Sequence, residues 1–258
     1  MGWSNGFGLL SNDPGKPIHY RFLKKQRHTV NDWIARSSKI SNAPLLDPEE
    51  FHWTRELQAR WRDVRAEALA VYQHREAIPP LREISPDHRK LVDDNTWRSF
   101  FLIGYGHRVE ENIARAPVTA DLVSRIPGLN SAFFSILDPG TVIVPHRGVT
   151  KAFITAHLGL VVPKDRDRIW MRVDGRRTGW EEGHWTLFDD TYEHEVRNDT
   201  KETRIILLCQ VERPLGAVGR FLAGALMGYV KRSHFVKDAK ANLADWEEVF
   251  AKAEQDML

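Results

Sequence analysis

The second half of this chain is a succession of short β-forming segments separated by turn signals. Between residues 131 and 212, Val, Ile, Phe, Thr and Trp are concentrated in the runs "SAFFSILD", "GTVIVPH", "KAFITAHLGLVVP", "RIWMRVD", "GHWTLFDD", "YEHEVR" and "TRIILLCQVE". Asp-Pro-Gly, Asp-Gly and Asn-Asp turns separate them, and Asp174-Gly175 carries the signal of a two-residue hairpin. At least seven short strands at near-regular spacing predict two stacked sheets, as a sandwich or a double-sheet jelly roll.

Helical patterns flank this β region. After Asp47, Pro48 at a first helical position and Glu50 as a capping-box acid predict one amphipathic helix. Its apolar stripe recurs every three or four residues, at Trp53, Leu57, Trp61, Val64, Ala68 and Val71. The segment "PVTADLVSRIPG" predicts a second, short helix, and residues 238–258 again show helical spacing.

These patterns predict a mainly β chain with flanking helices, organised as one structural domain. The expected parts are an N-terminal arm and helical scaffold at 1–94, a β core at 95–214 and C-terminal helices at 215–258.

Composition narrows the classes of function. With 258 residues, 42% hydrophobic and 28% charged, the chain is typical of soluble globular proteins. A net charge of +2 gives no reason to expect nucleic acid as a partner. The single Cys209 excludes an intrachain disulfide, and its apolar surroundings indicate a core thiol. We therefore expect a cytoplasmic location, and we find neither a signal-peptide pattern nor a transmembrane-length apolar run.

Two histidines lie at the ends of predicted strands. His146 closes "TVIVPH", and His194 opens "HEVR". In a jelly roll such positions can meet at the mouth of the barrel, and two imidazoles on one ion are part of a non-haem Fe(II) oxygenase centre. The carboxylate of such a centre normally lies two residues after the first His, but Gly148 is there. From the residues alone, a metal centre and two ordinary surface or core histidines both stay open.

Arg204 adds a second signal, because it opens the apolar run that follows His194. An Arg at such a position has to meet an anion or stay solvated at the strand end. A dicarboxylate co-substrate that chelates the metal suits a guanidinium several ångströms away. The alternative is an exposed hairpin with incidental polar residues.

Longer strings around these residues resemble the aspartyl/asparaginyl β-hydroxylase family. They are "FSILDPGTVIVPHRGVTKAFITAHLGLVVP" and "WEEGHWTLFDDTYEHEVRNDTKETRIILLCQVERP", and with a similar layout upstream the likeness covers about residues 95–214. The resemblance implies a double-stranded β-helix, which is a jelly roll of cupin-like architecture. It also implies a Fe(II)- and 2-oxoglutarate-dependent oxygenase that uses O₂.

The resemblance assigns roles to individual residues. It implies that His146 and His194 bind iron without a carboxylate ligand, and that Arg204 holds the distal carboxylate of 2-oxoglutarate. Ser135 matches a Ser that assists there, and His157 matches a His near the metal-binding end of the co-substrate.

One position departs from the family pattern. Thr155 stands where the family commonly has an Arg that pairs with the C1 carboxylate of 2-oxoglutarate. A neutral hydroxyl cannot replace a charge-assisted fork. Either another cation substitutes, with Lys151 and Arg172 as candidates, or co-substrate binding is altered.

We expect most of the neighbouring polar and aromatic residues to have structural roles in turns, in the core or at the surface. Asp189 and Asp190 fit turn-forming acids, with contact to a ligand imidazole as the alternative. Trp180 and Trp185 are expected to fill the core. Arg147 faces solvent or meets an anionic substrate.

The predicted activity is hydroxylation of an unactivated C–H bond in a small-molecule, amino-acid-like or acyl substrate. Three alternatives stay open: β-hydroxylation of Asp or Asn in a protein, radical halogenation at the position that the missing carboxylate leaves, and a non-catalytic jelly roll that binds a metal or an acidic ligand. The apolar and basic segment 216–232 fits either a peripheral membrane contact or a helix packed on the core.

Overall fold

The computed structural model describes residues 28–84, 88, 90–92, 94–231 and 234–255. Its strands are β1 Leu45–Leu46, β2 Trp97–Gly104, β3 His107–Arg108, β4 Leu129–Leu137, β5 Val142–His146, β6 Phe153–Val161, β7 Ile169–Val173, β8 Arg176–Thr178, β9 Trp185–Phe188, β10 His194–Asn198 and β11 Arg204–Glu212. Its α-helices are α1 at 28–36, α2 Trp53–Ala59, α3 Trp61–Tyr72, α4 Leu81–Ile84, α5 Glu110–Arg115, α6 Pro117–Ser124, α7 Ala217–Lys231 and α8 His234–Gln255.

The strands form two antiparallel sheets. The major sheet has the order β1-β9-β6-β11-β4-β2-β3, and the minor sheet has the order β5-β10-β7-β8. The eight strands from β4 to β11 divide four and four, β4, β6, β9 and β11 in the major sheet and the others in the minor sheet. This is the double-stranded β-helix, so the predicted jelly roll is confirmed.

Strand β11 shows how the sequence creates two cores. Ile205, Leu207, Cys209 and Val211 belong to the cluster that packs beneath the helices, together with Leu57 and Val64 of α2 and α3. The alternate residues face the space between the two sheets, because successive side chains of a strand point to opposite faces. Cys209 is fully buried, as predicted, and burial raises the pKa of its thiol.

The Asp174-Gly175 hairpin is also confirmed. These two residues join β7 to β8, and both have positive φ angles, 49° and 75°. A two-residue turn of this hand matches the twist of the strands and favours Asp-Gly.

The prediction of one continuous helix after Asp47 is wrong, because this segment forms a 3₁₀ turn followed by two α-helices. Asp47 caps a 3₁₀ turn, where its Oδ1 accepts from the backbone N–H of Glu49 at 3.0 Å. The α-helix then divides at Arg60, whose φ of −108° and ψ of 18° leave helical geometry and whose side chain pairs with Asp63 in the next helix. No Pro or Gly marks this break in the sequence. The predicted stripe still packs inward, with Leu57, Val64, Ala68 and Val71 buried and Trp53 and Trp61 partly buried.

The terminal regions also contribute to the core. Strand β1 pairs with β9, so the major sheet takes one strand from outside the range 95–214 that we predict for the β core. Helix α1 packs with α7 around Ile34 and Leu222, and α8 packs on α4. The first 27 residues of the predicted N-terminal arm and helical scaffold lie outside the described residues. Among the helices of the described residues, none combines the length and the apolar character needed to cross a membrane.

Candidate active site

The two predicted histidine ligands face each other at one end of the minor sheet. His146 ends β5, His194 begins β10, and the two are direct partners in the antiparallel register. Their ring centroids are 4.0 Å apart. The β-pairing itself therefore brings the two imidazoles together.

Backbone carbonyls orient both rings. The Nδ1 of His146 lies 2.8 Å from the Val144 carbonyl oxygen, and the Nδ1 of His194 lies 3.0 Å from that of Tyr192. Because a carbonyl oxygen only accepts, each Nδ1 carries the proton and each Nε2 carries a lone pair. Burial lowers the pKa of both imidazoles, so the neutral form that ligates a metal is favoured.

The carboxyl group of Asp190 occupies the space beside Gly148, the position where the carboxylate ligand of such a metal centre is expected. A Cβ on Gly148 would lie 2.1 Å from Oδ1 of Asp190, and the Gly148 N–H donates to the Asp190 carbonyl at 2.6 Å. Any side chain at 148 therefore collides with the Asp190 carboxyl group. Burial, and then the neighbouring Asp189, raise the pKa of Asp190 to about 7. Asp190 thus supplies a carboxyl group beside the histidine pair, and the turn-residue interpretation of Asp190 was incomplete.

Arg204 is buried without a counter-ion. It is 2% exposed, and among the described residues no carboxylate forms an ion pair or hydrogen bond with its guanidinium. Its partner is the ring of Trp180, 4.8 Å from the guanidinium carbon. Burial lowers the pKa of Arg204 to about 9. A buried cation that has no anionic partner favours the binding of an anionic ligand.

His157 points a polar atom at the same space. Trp180 donates through Nε1 to His157 Nδ1 at 3.1 Å, so the neutral ring of His157 carries its proton on Nε2. That Nε2 is buried and has no hydrogen-bond partner among the described residues. Burial and the charge of Arg204 lower the pKa of His157. Trp180 is therefore more than the core filler that we expected, since it orients both His157 and Arg204.

Ser135 lies on the neighbouring strand. Its hydroxyl accepts from Trp97 Nε1 at 3.0 Å, and it is 1% exposed. The sequence gives no signal for Trp97, which only tertiary packing brings to Ser135. His88 is a further cavity residue that sequence reasoning missed, and burial lowers its pKa to about 4.

The two cations proposed to compensate for Thr155 are engaged elsewhere. Lys151 Nζ lies 2.5 Å from Asp189, and Arg172 pairs with Glu195 at 3.4 Å. Neither lines the cavity, so this expectation is wrong for both residues. Thr155 instead donates to the carboxyl group of Asp190 at 3.3 Å.

The remaining neighbours have structural partners. Asp189 is fully buried and accepts from Lys151, Arg213 and Thr191, as expected of a turn-stabilising acid. Arg147 lies 3.7 Å from Glu193 in an exposed pair. Trp185 is buried and donates to the Thr54 carbonyl, which agrees with its predicted place in the core.

All six sequence-predicted site residues line one cavity of about 260 Å³ between the sheets: Ser135, His146, Thr155, His157, His194 and Arg204. Much of the remaining wall is apolar, including Leu81, Phe101, Phe133, Phe153, Leu208, Leu226 and Met227. Apart from histidines, the charged or acidic residues among its described lining are Arg204 and Asp190. Within the described part of the chain, no three His, Cys, Asp or Glu side chains are grouped to hold a metal ion, so the histidine pair is the candidate ligand set.

The sequence profile of the Aspartyl/Asparaginyl beta-hydroxylase family matches residues 58–214, which include the histidine pair and Arg204. The chain belongs to this family. It is an enzyme of the hydroxylase class, and the family resemblance of its strand-end motifs is confirmed by this match.

Two relatives show how far the similarity extends. The chain is 38% identical to an ornithine lipid ester-linked acyl 2-hydroxylase of Rhizobium tropici, over 84% of this chain and 78% of the relative. It is 30% identical to the human aspartyl/asparaginyl beta-hydroxylase, over 76% of this chain and 26% of that protein. This chain thus spans about a quarter of the human relative.

A solved oxidoreductase of the 2OG-Fe(II) oxygenase family, from Burkholderia pseudomallei, overlaps 47% of this chain and 67% of its own, at 16% identity and a TM-score of 0.34. The fold assignment does not depend on this overlap, because the strand order itself defines the double-stranded β-helix.

Proposed function

We propose that this protein is a Fe(II)- and 2-oxoglutarate-dependent hydroxylase of an acyl substrate. The observation that carries the proposal is the presence, in one cavity, of two facing neutral histidines and a buried arginine to which the described residues provide no counter-ion. A metal and a dicarboxylate are the groups that such a pair of features fits.

The residues fit the metal through the chemistry of their donors. His146 and His194 present two imidazole nitrogens whose protonation is fixed by backbone carbonyls. Neutral imidazole is a good ligand for Fe(II), and carbonyl acceptors on the other ring nitrogen hold the ligand in place. Asp190 adds a carboxyl group next to this pair.

The residues fit 2-oxoglutarate through two buried polar atoms that have no hydrogen-bond partner in the described part of the chain, Arg204 Nε and His157 Nε2. Arg204 is the anchor for the distal carboxylate, with the Ser135 hydroxyl as an assisting group. The Nε2–H of His157 is a donor for the end of the co-substrate that meets the metal. Thr155 does not supply a second positive charge, and a direct ion pair with the C1 carboxylate is therefore not part of this proposal.

When bound, Fe(II) and 2-oxoglutarate supply, with O₂, the oxidising power that turns a C–H bond into C–OH while forming succinate and CO₂. The protein contributes position and exclusion of water. His146 and His194 would hold the metal through rings fixed against the backbone, Arg204 would hold the distal carboxylate of the co-substrate, and the apolar wall would exclude water from the substrate carbon.

The composition of the cavity favours an uncharged, apolar substrate. Arg204 is the one Lys or Arg among the described lining residues, so a substrate carboxylate has no second cation to offset its desolvation. The relative from Rhizobium tropici is named for hydroxylation of a lipid acyl chain, and it matches over most of both chains. Both points favour an acyl chain over Asp or Asn of a protein domain.

Helix α7 supports contact with a lipid surface. Leu226 and Met227 line the cavity, while Val218 and Phe221 of the same helix are 66% and 76% exposed. Trp33, on the helix packed against α7, is 54% exposed. Exposed apolar side chains on a helix that also lines an acyl-binding cavity suit a bilayer that holds the acyl lipid.

Product mass tests the proposed activity. We expect the iron-loaded protein, given 2-oxoglutarate and O₂, to add one oxygen atom to the acyl chain of a bacterial ester-linked lipid and to form succinate in equal amount. Oxidation of an Asp- or Asn-containing peptide instead would contradict the acyl assignment, and incorporation of chloride would reassign the enzyme as a halogenase. If none of these candidate substrates leads to formation of succinate, the non-catalytic jelly roll is the remaining alternative.

A further inference from the structure

A row of uncharged polar side chains crosses the major sheet on its cavity side. Ser131 on β4 is the register partner of Gln210 on β11, and Gln210 is in turn the partner of Thr155 on β6. All three line the cavity, as does Asn130 next to Ser131. We refer to Asn130, Ser131, Gln210 and Thr155 as the polar row.

The hydrogen bonds within the polar row leave donors facing the cavity. Asn130 Nδ2 donates to Gln210 Oε1 at 2.8 Å and to Ser131 Oγ at 3.2 Å, and the backbone N–H of Tyr105 donates to the same Oγ at 3.1 Å. The oxygen of the Gln210 amide is therefore engaged, while its NH₂ group has no acceptor among the described residues. The Ser131 hydroxyl already accepts twice and retains its own proton to donate.

The polar row lies far from Arg204 along the cavity face of the major sheet. Arg204 and Gln210 share one face of β11 and are separated by roughly 20 Å, from a rise of ~3.3 Å per residue. Along β6, Thr155 is two residues beyond His157 in the direction away from Arg204. At its near end the row meets the metal site, because Thr155 donates to Asp190, which packs against Gly148.

We infer that the polar row is a binding site for the carbonyl oxygen of the acyl substrate, held by the Gln210 NH₂ group and the Ser131 hydroxyl. This inference rests on the proposed function and specifies which part of the substrate is recognised. Once an acyl chain displaces water from the cavity, donors that have no acceptor among the described residues need one on the ligand, and the row contains no cation that would stabilise a carboxylate. The ligand is thus a neutral ester or amide carbonyl. Held there, the carbonyl directs the adjacent chain carbon toward Asp190 and the histidine pair.

The direct test is binding of matched probes to the anaerobic protein loaded with Fe(II) and 2-oxoglutarate, measured by calorimetry. The probes are 1-octanoylglycerol, its ether analogue 1-O-octylglycerol, and N-octanoylethanolamine as the amide. We expect the wild type to bind the ester or the amide about tenfold more tightly than the ether, since the ether lacks the carbonyl oxygen. The stronger of the two carbonyl probes identifies the linkage.

Variants of the polar row test whether it causes this preference for a carbonyl group. Gln210→Leu keeps the side-chain size and removes the donors, so we expect it to lose the carbonyl preference while affinity for the ether is unchanged. Gln58→Leu, on α2 outside the cavity, is the matched control and keeps the preference. Should Gln210→Leu fail to fold, Ser131→Ala provides a second test, with an expected loss of about threefold on the carbonyl probes alone.

The outcomes separate this inference from the proposed function. If the wild type oxidises an acyl lipid but Gln210→Leu and Ser131→Ala retain its carbonyl preference, the assignment of the polar row is wrong and the function stands. Equal affinity of the wild type for ester, amide and ether also overturns the assignment. If the wild type neither binds these probes nor oxidises an acyl lipid, the proposed substrate class fails and the carbonyl site fails with it.

Discussion

His146 and His194 are direct partners across the antiparallel pair β5–β10, with ring centroids 4.0 Å apart. Each ring is fixed by the carbonyl two residues earlier in the chain, that of Val144 within β5 and that of Tyr192 just before β10, so the local backbone determines which ring nitrogen carries the proton. The metal site that we propose is thus a property of the register of the minor sheet. Tertiary packing places the proposed co-substrate anchor, Arg204, in the same cavity and the carboxyl group of Asp190 against Gly148.

Replacing Arg204 by Met tests the co-substrate anchor. The substitution removes the charge and keeps the apolar length, and we expect affinity for 2-oxoglutarate to fall about 100-fold. Because Arg204 is buried and no described carboxylate pairs with it, the ligand-free variant should melt at the same temperature as the wild type or higher. Thermal unfolding with and without 2-oxoglutarate measures both effects.

Arg172→Met is the matched control, since Arg172 pairs with Glu195 outside the cavity. It should leave 2-oxoglutarate affinity unchanged. An Arg204→Met protein that still binds the co-substrate normally would contradict the anchor assignment.

A swap of Gly148 and Asp190 tests how the carboxyl group is placed. Gly148→Asp puts a side chain into the space of Asp190, and we expect affinity for Co(II), followed by its visible absorption, to fall about tenfold or more. The double variant Gly148→Asp/Asp190→Gly restores the space with one carboxyl group, so it should recover part of that affinity. Tight binding by Gly148→Asp alone would show that the two residues do not compete for this space.

The strand-end positions of His146, His194 and Arg204 made them candidates in the sequence, but only the resemblance to the family assigned them roles as metal ligands and co-substrate anchor. At least seven short β-forming runs at near-regular spacing predicted a sandwich or a jelly roll, and the family resemblance implied the jelly roll. Asp190 could not be assigned in this way. Its carboxyl group fills the space beside Gly148, and only the packing of the β9–β10 turn against the end of β5 brings the two together.

Trp180 and Arg60 also have structural roles that the sequence did not predict. Trp180 was predicted as core, and it is 4% exposed, but its indole also orients His157 and stacks on Arg204. The break at Arg60 has no Gly or Pro to signal it. Burial is thus encoded by residue type and spacing, whereas the partner of a buried polar atom depends on the three-dimensional arrangement.

Asp189→Asn tests the ion network that supports the β9–β10 turn. Asp189 is fully buried and accepts from Lys151 at 2.5 Å and from Arg213 at 2.7 Å, whose side chain is also fully buried. Removing the negative charge leaves these cations uncompensated, and we expect the free energy of unfolding to fall by about 3–5 kcal/mol. Chemical denaturation measures this change. The control Glu193→Gln, in an exposed pair with Arg147, should have a far smaller effect; an equal loss in both variants would argue against the network.

Phe221→Asp tests the lipid surface of α7. We expect it to reduce co-sedimentation with vesicles of anionic bacterial lipids several-fold, because it removes the most exposed of the large apolar side chains described. Val249→Asp, which alters a 45% exposed side chain on α8, is the matched control and should sediment like the wild type. Similar losses in both variants would indicate a general effect of charge, and no loss in either would reject this surface.

The central claim, that the histidine pair and Arg204 together form an Fe(II)/2-oxoglutarate site, is tested most directly without any substrate. Fe(II) and then 2-oxoglutarate are added to the anaerobic protein, and the visible spectrum is recorded for the wild type and for His194→Ala. We predict a weak charge-transfer band of the chelated co-substrate in the wild type and its loss in the variant. A folded wild-type protein that shows no band would contradict the claim and would favour a non-catalytic jelly roll.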